Sequence, residues 1–183
     1  MFVEEKYQTF SGRFWAGFID FLVLLPIGLV SMVMFSTANP KWLVIGWAII
    51  YFASDPMYSV LMHANYGRTV GKRTMHVIVL DVSEQRIPSL KQAILRDIVL
   101  IVSQSILLAN FIRVMISTGS VKHIDDQMGW FGQALSWATF VWFLLELVTM
   151  LFSSKRRALH DLIAGTVVVE VGWGTFPATA NSR

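Results

Sequence analysis

The chain has 183 residues, of which 55% are hydrophobic and 15% are charged, and its mean hydropathy is +0.57. Soluble domains carry about 25% charged residues, so this composition argues against an ordinary soluble domain. The net charge of +3 comes from basic residues that flank hydrophobic stretches, which argues against nucleic-acid binding. Cysteine is absent from the sequence, which excludes disulfides, thiol catalysis and cysteine-based metal sites.

Four hydrophobic stretches are each long enough to cross a hydrocarbon core of about 30 Å as a helix. They occupy residues 14–35, 42–62, 93–116 and 134–152. The first is longer than the core of a signal peptide, so we predict that it stays as an anchor. The predicted fold class is an all-α membrane protein, a bundle of four transmembrane helices that forms a single membrane domain over residues 1–183.

Basic residues concentrate in the loop at residues 63–92 and in the tail at residues 153–183. Because such loops stay in the cytoplasm, we expect both segments and both termini there, in a multi-pass protein of the cell inner or plasma membrane. Two β-branched runs lie in these segments, at residues 76–80 and 166–171. We expect them to pair into a small cytoplasmic β-ribbon; irregular interfacial segments are the alternative.

Three carboxylic acids lie inside the hydrophobic stretches: Asp20, Asp55 and Glu146. A charged side chain at the centre of a bilayer costs about 2.5–3.5 kcal/mol, so an acid in a membrane span indicates a functional site. Counting about 1.5 Å per helical residue from the predicted span ends places all three at a similar depth, near the cytoplasmic face. We predict that they bind a monovalent cation or a proton.

Partners for these acids are also present. Arg13 lies two helical turns before Asp20 on the same face of the first helix, and we predict that it tunes the pKa of Asp20. The other candidates for pKa tuning or structural ion pairing lie at the predicted cytoplasmic mouth: Arg96, Asp97, His160 and Asp161. A structural interpretation stays open, in which Arg13 and Asp20 only clamp helices and Glu146 pairs with Arg96 or caps a neighbouring hydroxyl.

Residues 67–73, with the sequence GRTVGKR, superficially resemble a phosphate-binding loop. The spacing of the two glycines is too short for that motif, and the lysine is not followed by Ser or Thr. We expect the basic residues to contact anionic lipid headgroups or a partner instead: Arg68, Lys72 and Arg73. The four histidines lack metal-ligand spacing and no nucleophile–base pair stands out, so we predict no metal site, no cofactor and no enzymatic activity.

Three segments together resemble the RDD family of membrane proteins, which is named for one arginine and two aspartates. Residues 12–20 (GRFWAGFID) resemble its first-helix signature, with Arg13 and Asp20 in place. Residues 67–96 are similar to its central stretch, and residues 157–169 resemble its closing segment, in which Asp161 is the second aspartate. The resemblance implies a membrane protein with a role in transport, and it assigns no role to Asp55 or Glu146.

These observations predict an ion or proton-coupled transporter, with cation–proton exchange as one form, because one buried carboxylate can bind either species. Four helices enclose little volume, so we expect a homo-oligomer in the lipid bilayer. The alternative is a non-transporting membrane adaptor or assembly factor that recruits a partner through its basic cytoplasmic loop.

Overall fold

The structure, a computed structural model, describes residues 5–36, 39–121 and 124–172. The part of the predicted tail beyond residue 172 lies outside these ranges. Four described helical segments are long and apolar enough to cross a membrane: Glu5–Met34, Lys41–Tyr66, Ile98–Thr118 and Gly129–Phe152. Together with a two-stranded sheet, they confirm the predicted class, an all-α membrane protein with a small β element.

The elements follow one another in the order α1 (Phe10–Met34), α2 (Lys41–Tyr66), α3 (Val70–Thr74), β1 (Val77–Asp81), α4 (Leu90–Arg96), α5 (Ile98–Thr118), α6 (Ile124–Phe152), α7 (Leu159–Ala164) and β2 (Thr166–Glu170). A short 3-10 helix, Glu5–Tyr7, precedes α1. Helix α6 kinks at Gly129, whose backbone is not helical (φ 38°, ψ −128°).

The third spanning helix begins later than the sequence predicted. Helix α4 is a separate element that starts with a capping box, in which the side chains of Ser89 and Gln92 each accept a hydrogen bond from the other residue's backbone N–H. At Asp97 the backbone leaves the helical conformation (φ −98°, ψ 13°). The predicted start at residue 93 is therefore wrong: α5 begins at Ile98, and Asp97 lies before the span.

The predicted β-ribbon is confirmed. Strands β1 and β2 pair antiparallel, from Val77 opposite Glu170 to Asp81 opposite Thr166. Ile78 and Leu80 pack against Tyr7 of the 3-10 helix, and the alternate residues of β1 are also buried. Both runs are rich in β-branched residues and lack the polar alternation of a strand with one wet face, because neighbouring elements cover both faces of the ribbon.

The described chain divides into two compact units. The first unit comprises residues 1–23, 58–98 and 143–183, and the second comprises residues 24–57 and 99–142. The second unit has an apolar core of Val44, Ala48, Phe111 and Met115. A hydrogen bond from the Trp47 indole to the Ser31 hydroxyl, at 2.8 Å, also joins α1 to α2 within this unit.

Glu84 joins three segments of the first unit. Its carboxylate accepts hydrogen bonds from three side chains: Tyr7 at 2.5 Å, Lys155 at 2.6 Å and Lys6 at 2.9 Å. Burial alone would raise the pKa of Glu84, but these donors outweigh that effect and lower the pKa to about 2. Glu84 thus connects the chain before α1, the turn after β1 and the link that precedes α7.

We expect the contribution of Glu84 to stability to be lost in acid. Because its folded pKa is depressed, the contribution is present above the usual value of 4.5 and disappears as the pH falls toward about 2. The Glu84→Gln variant should therefore lose less thermal stability than the wild type between pH 5 and pH 3, measured in detergent. Glu170→Gln, at an exposed carboxylate, is the control and should behave as the wild type.

Candidate functional site

The most buried charge of the first unit is Asp161, whose side chain has no solvent exposure. Its Oδ2 lies 2.6 Å from Arg13 Nη1, and its Oδ1 lies 2.8 Å from Arg96 Nη1. The Ala158 backbone N–H and the Thr166 hydroxyl each donate to it at 3.2 Å. Burial alone would raise the pKa of Asp161, but the two guanidinium groups hold it well below its usual range.

Local structure explains why Asp161 reaches this position. It lies in the first turn of α7, so its carboxylate caps the N–H of Ala158 at the start of that helix. Gly165 then takes the left-handed conformation (φ 65°) that ends α7 and starts β2. A short helix between two fixed ends therefore presents Asp161 to α1 and α4.

Arg13 contacts Asp161 and not Asp20, contrary to the predicted pairing. All its guanidinium nitrogens have acceptors: Nη1 has Asp161, Nε has the Thr9 hydroxyl at 3.0 Å and Nη2 has the Arg156 carbonyl at 3.2 Å. Seven residues along a helix correspond to about 10 Å. Arg13 and Asp20 thus lie on one face of α1 but far enough apart to bind different elements: Arg13 binds α7, and Asp20 binds the start of α3.

An imidazole connects this cluster to the fourth membrane span. His160 Nδ1 makes a short contact with a Glu146 carboxylate oxygen, and its Nε2 lies 3.0 Å from Arg96 Nη2. Because a guanidinium nitrogen can only donate, His160 Nε2 is the acceptor in its contact with Arg96. The predicted alternative pair of Glu146 with Arg96 is therefore bridged by His160.

Asp20 lies within the first span and anchors the loop that follows α2. Its Oδ1 accepts from the Tyr58 hydroxyl at 2.7 Å and from the Gly71 N–H at 2.8 Å. Its Oδ2 accepts from the Thr69 hydroxyl at 2.6 Å. The carboxylate thus has donors on both oxygens, which fixes the start of α3 against α1.

Gly71 is required for this close approach. A Cβ atom at this position would lie 2.0 Å from the carbonyl oxygen of Ala16 and 2.9 Å from Asp20 Cγ. No pattern in the sequence indicated directly that Tyr58, Thr69 and Gly71 bind Asp20. The one available signal is that Thr69 and Gly71 fall in the GRTVGKR segment, where a glycine indicates a close backbone approach.

Two further polar groups of the first unit, His63 and Asp97, have unused hydrogen-bonding capacity. His63 is only 1% exposed; its Nδ1 lies 2.8 Å from the Ser59 carbonyl, so Nε2 is an acceptor. Neither His63 Nε2 nor Asp97 Oδ2 has a hydrogen-bond partner within the described part of the chain. Lys72 lies close enough to Asp20 and Asp97 to feel their charges, and burial lowers its pKa to about 8.

The remaining predicted site residues lie in different places. Asp55 belongs to the second unit, whereas Asp20 and Glu146 belong to the first. Arg73 is exposed and Arg68 is half-buried, whereas Lys72 is partly buried among charged groups of both signs. Among the described residues, no three His, Cys, Asp or Glu side chains are placed to share a metal ion.

We expect Gly71→Ala to destabilise the protein by about 1–3 kcal/mol or more, because overpacking against a fixed backbone forces the chain to shift. Gly17→Ala is the matched control, since a Cβ there meets no atom within 4 Å and alanine favours a helix interior. Thermal unfolding in detergent compares the two. Equal midpoints would contradict the close packing of α3 on α1.

We expect Asp161→Asn to destabilise the protein by about 3–5 kcal/mol, because it leaves two buried guanidinium groups without a counter-charge. The exposed Glu170→Gln variant makes the same chemical change and should leave thermal unfolding unchanged. If Asp161→Asn unfolds at the wild-type midpoint, Asp161 does not hold the cluster together.

The chain also matches a known protein family. The family model described as RDD family matches residues 7–165, a range that contains Arg13, Asp20 and Asp161. No curated protein and no solved structure matches the chain. Because the family model covers most of the sequence, the chain belongs to the RDD family, and its apolar helices make it a multi-pass membrane protein.

Proposed function

We propose that the protein exchanges a monovalent cation for a proton across a membrane, and that the Glu146–His160 pair carries the proton. The observation that carries this proposal is the direct contact of Glu146, in the fourth membrane span, with the His160 imidazole. Carboxylate and imidazole groups inside membrane proteins form proton relays. This pair is also partly accessible, since its side chains are 21–23% exposed.

A change in the charge of His160 would alter its contacts with the neighbouring charged side chains. With a neutral imidazole, the charges of Arg13 and Arg96 balance those of Asp161 and Glu146. A proton added at His160 Nε2 would turn that atom into a donor facing the Arg96 N–H groups. The carboxylate oxygen that could accept from Nε2 is Asp161 Oδ1, which lies 3.5 Å from it. Proton uptake would therefore weaken the hold on Arg96, which borders the membrane span.

The cation would use the acceptors that have spare capacity. Asp97 supplies a buried carboxylate oxygen with no donor among the described residues, and His63 Nε2 can accept a hydrogen bond from a cation-bound water. Lys72 carries a positive charge near Asp97, so it would compete with an incoming cation. Asp20 keeps its predicted role of binding the cation only through its remaining lone pairs, because both of its oxygens already accept hydrogen bonds. Asp55 stays a predicted cation- or proton-binding acid of the second unit.

The orientation is part of the proposal. The basic residues of the 63–92 loop and of the segment after α6 fall in the first unit. The positive-inside rule therefore supports a cytoplasmic position for the cluster and for both termini, in the cell membrane. A homo-oligomer stays our prediction, and so does the absence of enzymatic activity.

A non-transporting membrane adaptor is the second candidate. One observation favours it: Asp20 and Asp161 both have donors on each carboxylate oxygen, which is the arrangement of a structural clamp. In that case the first unit is a rigid support for a partner that binds its basic loop. A stable partner in mild detergent, together with absent flux, would favour this function.

We expect Glu146→Gln to lower proton-coupled cation flux by about tenfold or more, because an amide cannot take up a proton. His160→Gln should lower the flux to a similar extent, while the glutamine carbonyl oxygen still accepts a hydrogen bond from Arg96. The measurement is the internal pH of proteoliposomes loaded with a pH-sensitive dye, after a pulse of sodium or potassium. Glu170→Gln should match the wild type.

A comparison of the outcomes separates the two functions. If Glu146→Gln and His160→Gln both keep the flux of the wild type, the Glu146–His160 pair does not carry the proton. No flux from the wild type under any sodium, potassium or lithium gradient would reject exchange of these cations and favour the adaptor. Thermal unfolding of each variant shows whether a loss of flux comes from a loss of fold.

A further inference from the structure

The GRTVGKR segment is held rigidly at several points. Asp20 binds the Thr69 hydroxyl and the Gly71 N–H, and the Tyr58 hydroxyl accepts from the Val70 N–H at 3.0 Å. At Gly67 the backbone has φ +66°, and a Cβ atom would lie 2.9 Å from the Val79 carbonyl oxygen. These contacts fix the backbone positions from which the outward side chains of the loop extend.

Two arginines are the outward basic groups of this segment. Arg73 is exposed and Arg68 is half-buried. The two residues flank one short helix: Arg68 precedes the Thr69 cap of α3, and Arg73 lies in its last turn. Burial lowers the pKa of Arg68, and the charge of Arg73 lowers it further. Guanidinium groups at both ends of such a short, fixed element can both donate charge-assisted hydrogen bonds to one phosphate.

The surroundings of the pair match the interface of a membrane. The second span ends at Tyr66, so the loop begins where that helix leaves the bilayer. The Tyr66 side chain is 61% exposed, and Val70 beside it is 40% exposed. Aromatic side chains with a polar tip are enriched at the headgroup level of membranes.

The first turns of α1 add apolar surface nearby. Gly71 lies against the backbone of Ala16, and the two preceding residues, Phe14 and Trp15, are 65% and 49% exposed. Their rings pack edge to face, with centroids 5.6 Å apart. An apolar surface of this kind beside two arginines suits an amphiphile better than a free anion.

We propose that Arg68 and Arg73 bind the phosphate of an anionic phospholipid headgroup, while Tyr66, Val70 and the exposed aromatic residues of α1 contact its acyl chains. Asp20 acts as a positioning residue, since its carboxylate fixes the loop. The guanidinium groups match the phosphate oxygens in charge and in hydrogen-bonding geometry. This binding does not depend on the proposed exchange activity.

The test uses the full-length protein, delipidated in a non-ionic detergent. Short-chain phosphatidylglycerol, short-chain phosphatidylcholine and inorganic phosphate are titrated separately, and bound lipid is counted by native mass spectrometry. The wild type should bind phosphatidylglycerol more tightly than phosphatidylcholine. Arg68→Gln/Arg73→Gln should weaken phosphatidylglycerol binding by about thirtyfold, since each arginine near a lipid surface contributes about a factor of five.

Matched variants make the result specific. Arg86→Gln/Lys91→Gln removes the same charge from exposed positions of the same loop and should leave the preference unchanged. Asp20→Asn should reduce the preference because it loosens the loop. Arg68→Lys/Arg73→Lys keeps the charge without the guanidinium forks and should fall between the wild type and the glutamine variant.

Three outcomes would overturn the proposal. The first is an unchanged preference in Arg68→Gln/Arg73→Gln. The second is an equal loss in Arg86→Gln/Lys91→Gln, which would indicate an effect of net charge alone. The third is binding of inorganic phosphate as tight as that of phosphatidylglycerol, which would indicate a free-anion site.

Discussion

The ion cluster around Asp161 is the interaction on which the first unit depends. One carboxylate without solvent exposure faces guanidinium groups from α1 and α4, and it is itself part of α7. Burying a single charge is unfavourable unless its partners are close and hydrogen-bonded. Two arginines around one aspartate leave an excess positive charge, which Glu146 offsets through His160. The positions of three helices and of the strand that follows them are therefore set by one requirement for charge balance.

The acids of the first unit fall into two groups when their donors are compared. Asp161 and Asp20 accept hydrogen bonds or ion pairs on both oxygens, so they act as fixed anchors. Glu146 contacts an imidazole, and Asp97 keeps one oxygen without a donor among the described residues. Under the proposed function, the first two acids hold the structure together, and Glu146 and Asp97 bind the proton and the cation. The residues after which the family is named include both anchors.

Features that depend on residues close together in the sequence were predictable. Hydropathy located four spans, and two β-branched runs predicted the ribbon of β1 and β2, because both signals are contained within short stretches. The start of α5 was missed, since the Ser89 cap and the break at Asp97 divide a run that is apolar on average. Long-range pairing was not predictable either. Helical spacing suggested Arg13 with Asp20, but the actual partner of Arg13 is 148 residues away, and Asp20 binds a loop that lies beyond α2.

That separation has a consequence for biosynthesis. Arg13 leaves the ribosome 148 residues before the aspartate that neutralises it, and β1 likewise precedes its partner strand by two membrane spans. The first unit therefore closes only after the fourth span has been inserted and the segment that contains α7 and β2 has been made. Until then Arg13 and Arg96 have no buried counter-charge, and the apolar faces of β1 are uncovered. This unit can therefore complete its assembly only after all four spans have been synthesised.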